Sequence, residues 1–169
     1  MTRFEVDPRA SAVALAASST IHPVHITAHG LTGSLEGELD RHGRVRLDAP
    51  HHAWLSLPVA ELRSGNVLQD IEMERRMETA RFPTIDCEVV GLVDNGKGGY
   101  RASARLSVHG VSRQVEADIN LVGKSPNHVV VEVEHIFNMR DFGISPPRLL
   151  VLKVEPAVRV RVRIEARSG

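Results

Sequence analysis

The chain has 169 residues, enough for one well-buried core and too few for two ordinary domains, so a single domain over residues 1–169 is expected. Its 21 Lys and Arg balance 21 Asp and Glu, leaving no overall positive field to gather it onto nucleic acid. One cysteine, Cys87, excludes an internal disulfide and a Cys-based zinc cage and fits a reducing compartment, so a cytoplasmic location is expected.

In chain order, the first apolar segment is "SAVALAASS" at 11–19. Glu5 and Asp7 interrupt the basic stretch a signal peptide needs, and the run is short for its apolar region. No run of about 18 apolar residues follows anywhere, which predicts a soluble protein with no membrane span. His22, His25 and His29 come next. On an extended chain only His25 and His29 share a face, and one strand cannot close a metal shell, so no metal is expected.

Period-two alternation starts weakly in "GLTGSLEGELD" (30–40), "RVRLD" (44–48), "WLSLPV" (54–59) and "TIDCEVVGLV" (84–93). In the last of these Ile85, Cys87, Val89 and Val93 are read as one face, which makes the Cys87 thiol buried and inert. His51 and His52 precede Trp54 in what reads as a loop. Between these strands, residues 63–83 break the period. Asn66 can cap a helix whose Leu68, Ile71 and Met77 fall at roughly helical spacing among charged residues, and Pro83 is expected to end it. The simplest reading is a solvated helix lidding the sheet.

The later alternation is strong. Ala102, Ala104, Leu106 and Val108 oppose Arg101, Ser103, Arg105 and Ser107, and Val115, Ala117, Ile119 and Leu121 oppose Glu116, Asp118 and Asn120. Val129, Val131 and Val133 oppose Glu132 and Glu134, with His135, Phe137 and Met139 continuing the inward parity. Val158, Val160, Val162 and Ile164 oppose Arg159, Arg161, Arg163 and Glu165. Turn residues at "DRHG" (40), "DNGKGG" (94), "HGVSR" (109) and "KSPN" (124) separate the strands, and His109 reads as a solvated turn residue. About eight or nine strands in meander order result. In "FNMRDFGISPP" (137–147) Arg140 and Asp141 are adjacent and point to opposite faces of a strand, while Gly143, Pro146 and Pro147 supply a bend. A structural corner is favoured over a paired-charge site.

So many antiparallel strands with one polar face can lose both edges by closing into a barrel, which near eight strands is either filled or open for one small ligand. The inward positions include Gly33, Gly37, Gly91, Ala102, Ala104 and Ala117, and the chain holds only six aromatic residues (four Phe, one Trp, one Tyr) to fill the space they leave. A hollow, apolar interior is the expectation.

"FNMRDFGISPP" followed by "VEPAVRVRVRIEA", and preceded by "LSVHGVSRQVEADINL" and by "LPVAELRSGN" with "RFPTI", resembles the YceI-like family over about Phe4 to Ala166. The resemblance implies an all-β, lipocalin-like antiparallel barrel with a helical insertion, whose interior can hold a polyisoprenoid or similar tail. Where many family members carry Arg-Asp-x-His-Leu in the helix, this chain reads Gln69, Asp70, Ile71, Glu72, Met73.

These readings nominate Trp54, Leu57, Met73, Met77, Phe82, Leu106, Val133, His135, Phe137, Met139, Arg140 and Phe142 as lining the cavity or its mouth. His135 is the best polar contact inside, and Arg140 the group to meet a ligand head at the mouth. Arg75, Arg76 and Arg81 could serve a phosphate there. The expected partner is a polyisoprenoid or fatty-chain lipid, with no cofactor, no catalysis and a possible homodimer. The alternative is a filled-core interaction or stress-related scaffold with no small-molecule ligand, and a weaker one an isoprenoid-processing enzyme. No nucleophile elbow, phosphate loop or zinc-protease helix supports the last of these.

Overall fold

The structure, a computed structural model, describes every residue except 147, 150 and 151, and describes only the backbone at 124, 148, 149 and 152. Eleven strands form one antiparallel sheet that closes on itself. The middle of the chain is a meander as expected: β4 (Thr32–Gly37), β5 (His52–Pro58), β6 (Thr84–Asp94), β7 (Tyr100–Val108), β8 (Val111–Ser125) and β9 (His128–Asn138) pair in sequence. The two-residue β10 (Arg148–Leu149) only flanks β11 (Leu152–Arg167), which pairs with β9. β1 (Thr2–Val6) joins β11 on one side to β4 on the other, completing an eight-stranded ring. The β1–β11 pairing, Glu5 with Arg167 and Val6 with Ala166, thereby closes the ring at the seam.

The alternation of β11 explains its length. Val158, Val160, Val162 and Ile164 face in, while Arg163 meets Glu132 of β9 at 2.9 Å and Arg161 meets Glu134 at 3.3 Å on the outer face. Such exposed pairs contribute only tenths of a kcal/mol each, and inward burial supplies the larger share. The strand outruns β1, and its other half pairs with β2 (Ala12–Ser19), which in turn pairs with β3 (Val24–Ala28). β1 and β2 therefore lie end to end along one partner. The fully buried Ser11 hydroxyl pins the loop between them, accepting from Glu165 N at 3.0 Å and donating to Glu165 O at 3.3 Å.

Strands β1 to β3 are not among those expected from sequence. In β2 the inward Val13, Leu15 and Ala17 alternate with Ala14 and Ala16, so the polar half of the period is missing. The expected strand at 44–48 is reduced to one bridge, Leu39 to Val45. Two β-bulges also shift the phase. The first lies between Val89 and Gly91, so Leu92 faces in, whereas Val93, read as inward, is 59 % exposed and Gly91 pairs with the outward Ser103. The second, between Leu121 and Gly123, leaves Val122 exposed.

The helix α1 (Val67–Met77) begins where expected, with Asn66 Oδ1 accepting from Leu68 N at 3.0 Å and Gln69 N at 3.1 Å. It ends at Glu78 in the left-handed region (φ 48°), before Pro83. Its buried face differs from the one predicted: Leu68 and Ile71 are exposed, and Met73 and Met77 turn inward. A 3-10 turn (Val59–Glu61) precedes it, with Val59 and the following Leu62 buried. "MRDF" (139–142) is a second 3-10 turn, capped by Asn138 Oδ1 on Arg140 N at 2.9 Å and closed by Gly143 at φ 69°. The corner expected there is thus a capped turn. Pro147, part of that expectation, lies outside the described residues.

Candidate functional site

The inward faces of the strands enclose one continuous cavity of about 470 Å³. Its wall is aliphatic: Leu15 and Ile26 on β2 and β3, Leu55 and Leu57 on β5, Ile85 and Cys87 on β6, and Val131 and Val133 on β9 all line it. Small side chains keep the centre open. Ala102 and Ala117 stand opposite each other on β7 and β8, and Ala104 stands between Val89 and Val115. Leu106, Val131, Val133, His135 and Phe137 face inward yet are only half-buried, because their tips border empty space rather than other side chains.

The register sets the two ends. One is formed by the start of β6, the β7–β8 turn, the end of β9 and the start of β11, where α1 and the 139–142 turn lie. Met73 and Met77 of the helix and Met139, Phe142 and Ile144 at the turn cover it, and methionine adapts to irregular tails. Polar groups appear at this end too. Asp70 accepts from Ser64 N and Ser64 Oγ, both at 2.8 Å. Arg76 Nε donates to Glu72 Oε1 at 2.8 Å while Arg75 reaches the same carboxylate at 2.7 Å. Those hydrogen bonds, first from Arg75 and then from Arg76, lower the Glu72 pKa below the usual carboxylate value.

The opposite end is closed by Leu39, Val45 and Tyr100. The Tyr100 hydroxyl accepts from Val45 N at 2.8 Å and Arg44 lies 5.3 Å from its ring centre, which ties the 38–51 loop across the barrel floor. Glu36 and Glu38 border this end, but their carboxylates turn out to Arg3 at 3.3 Å and Arg46 at 3.0 Å. Tyr100 is a site residue the sequence reading missed, because the last residue of a turn carries no visible parity until its strand is fixed.

Of the nominated residues, Leu57, Met73, Met77, Leu106, Val133, His135, Phe137, Met139 and Phe142 line the cavity together. His135 lies edge-on to Phe137 with ring centres 4.7 Å apart, and among the described residues its ring nitrogens meet no hydrogen-bond partner or opposite charge. It is free to take a polar atom of a ligand.

Two nominations are corrected. Trp54 is 44 % exposed on the outer face of β5, since it has the opposite parity to Leu55 and Leu57. Phe82 packs outside the barrel over Gly110, where an added Cβ would come within 2.5 Å of its ring, and against His109 with ring centres 5.3 Å apart. Arg140, expected at the mouth, lines a cleft that shares Arg76 and Val154 with the cavity. Arg81 is turned away, its guanidinium 5.0 Å from the Phe82 ring.

His109 is also not the solvated residue expected: its Nε2 lies 2.6 Å from Glu78 Oε2 and its Nδ1 3.2 Å from Phe142 O. It fastens the end of α1 and the 139–142 turn to the β7–β8 hairpin.

Cys87 lines the wall, and burial pushes its thiol up to about 11, so it is protonated at neutral pH. Among the described residues no group of three or more His, Cys, Asp or Glu is placed to hold a metal ion, and no helix is long and apolar enough to cross a membrane.

The sequence matches the YceI-like domain family over residues 4–166. No curated protein matches it. The structure is similar to a polyisoprenoid-binding domain from Saccharophagus degradans implicated in plant cell wall breakdown, at 18 % identity, with 100 % of both chains covered and a TM-score of 0.77. It is also similar to BcnA from Burkholderia cenocepacia, at 11 % identity over 95 % of this chain and 98 % of that one, with a TM-score of 0.78. A YceI protein from Campylobacter jejuni shares 11 % identity over 89 % of this chain and 88 % of its own, with a TM-score of 0.71.

Proposed function

Because the chain belongs to the YceI-like domain family and encloses an apolar cavity, we propose that it binds the hydrocarbon tail of a polyisoprenoid or other long-chain lipid and sequesters or carries it. The cavity carries this reading. At on the order of 30 Å³ per water-sized group, its roughly 470 Å³ takes about fifteen chain carbons. Burying these at roughly 0.8 kcal/mol each gives about 12 kcal/mol before the ligand's ordering cost, ample for micromolar binding.

The similar domain from Saccharophagus degradans is described as polyisoprenoid-binding, which favours a prenyl chain among tails of this length. The aliphatic wall, with few polar side chains such as His135 among the described residues, suits a tail better than a reacting centre and supports a binding role rather than catalysis. The filled-core scaffold is the weaker reading, because an interior of small inward residues leaves volume that a scaffold has no use for.

The test is organic extraction of the protein purified from its native host, followed by mass spectrometry, with uptake of added prenyl and fatty chains by the emptied protein. Lipid near one per chain is expected. Absence of co-purified lipid together with no uptake would refute carriage and leave the scaffold.

A further inference from the structure

We propose that the outer face of α1 docks the barrel onto a lipid bilayer, and that the carried lipid passes between membrane and cavity at the helix end. This rests on the reading of the barrel as a lipid carrier and adds the surface through which it exchanges its cargo. Val67, Leu68 and Ile71 stand at i, i+1 and i+4, so they share one side of the helix, and each is more than half exposed. Met73 and Met77, on the opposite side, line the cavity. Ile21, also exposed, lies at the same end of the barrel. It sits in the turn between β2 and β3, just after Ser19, which pairs with Val154 near the start of β11, and β3 bridges through Thr27 to Arg63 in the segment leading into α1.

Area and charge identify the occupant. The four apolar side chains expose on the order of 400 Å², about half of what each partner of a stable dimer buries, so this face would hold a second copy of the chain poorly. The same area suits a helix lying in the headgroup layer, where affinity scales with the apolar surface inserted. The carboxylates of α1 are engaged within the protein: Asp70 accepts from Ser64 at 2.8 Å, Glu72 from Arg75 and Arg76, and Glu74 from Arg63 at 3.2 Å. Arg75, four residues beyond Ile71 on the same side, has an exposed side chain whose stem can lie along apolar surface while its guanidinium reaches lipid phosphates. With Leu68 and Ile71 in the bilayer and Met73 and Met77 against the tail, only the thickness of one helix, about 10 Å, separates membrane from cavity. A tail leaving the bilayer here crosses little water, which spares it the cost of exposing its hydrocarbon.

The experiment floats the full-length protein with vesicles of equal parts phosphatidylcholine and phosphatidylglycerol, and separately follows uptake of geranylgeraniol from solution by displacement of a fluorescent fatty probe. The wild type is expected to bind the vesicles, and the double variant L68S/I71S to bind them about ten- to a hundred-fold more weakly. Both side chains are exposed, so the variant should melt with the wild type and take up the alcohol from solution unchanged, yet draw it from vesicles more slowly. V93S is the control: Val93 is as exposed as Ile71 but lies at the Tyr100 end, and its loss should leave vesicle binding intact. No vesicle binding by the wild type, binding that survives in L68S/I71S, or an equal loss in V93S overturns the docking face while carriage stands. A wild type that is dimeric without vesicles and an L68S/I71S variant that is monomeric would assign the face to a second copy and overturn it as well. Vesicle binding with no uptake of any tail overturns carriage, and with it the exchange.

Discussion

Substituting Ala104 by Phe distinguishes a hollow barrel from a filled one by the sign of the effect. Ala104 points inward from the middle of β7, between Val89 and Val115, into the cavity of about 470 Å³. In a packed core the added ring would force its neighbours apart and cost about 1–3 kcal/mol. In an open cavity it moves from water in the unfolded chain to an apolar lining, a gain of roughly 2 kcal/mol less a fraction for its fixed rotamer. For a domain of this size about 1 kcal/mol is worth roughly 2–4 °C in Tm. The ligand-free variant should therefore melt at or a few degrees above the wild type.

Binding should move the other way. The ring takes the space of about four methylenes of the tail, removing about 3 kcal/mol, or about a hundred-fold in affinity. Calorimetric melting of emptied protein and probe displacement by a prenyl alcohol measure the two effects. A Tm several degrees lower with tail affinity intact would mean that the interior is already full and that the tail lies elsewhere.

Two further outcomes follow from single residues. Cys87 gives the cavity its own reporter: with its thiol pushed up to about 11, modification by N-ethylmaleimide should rise about tenfold per pH unit past pH 9 and slow when lipid is bound, and a rate that levels off near pH 9 would show an ordinary exposed thiol. Gly33→Ala should lower stability by several kcal/mol, since its φ of 141° and a Cβ 1.9 Å from Trp54 O allow no side chain, whereas Gly37→Ala, with His51 Cβ at 3.6 Å, should be nearly neutral. Similar urea midpoints for the two glycine variants would refute the close approach of β4 to β5.

The legible part of the site was the part with an unbroken period. In β7, β8, β9 and β11 most inward residues alternate with a polar one, so the parity places Leu106, Val133, His135, Phe137 and Met139 on the inner face. In α1 the spacing of Leu68, Ile71 and Met77 suggests one apolar face, yet Leu68 and Ile71 are exposed and Met73 joins Met77 on the inward side. Trp54 and Phe82 show the reverse fault: large aromatics attract a cavity role, and here parity and the Phe82–Gly110 contact put them outside.

The sequence by itself determined that the chain would form antiparallel strands with one apolar face, where a capped helix interrupts them, and that the inward side chains were small, since each property is local and follows from residue type at period two or 3.6. Only the tertiary structure decided that β1 seals the ring between β11 and β4, that bulges at 89–91 and 121–123 change which residues face in, and that Tyr100 ties down one end while Arg76, Arg140 and Lys153 gather at the other. Closure joins residues more than a hundred positions apart, and a single inserted residue reverses every parity beyond it, so neither can be read from neighbours along the chain.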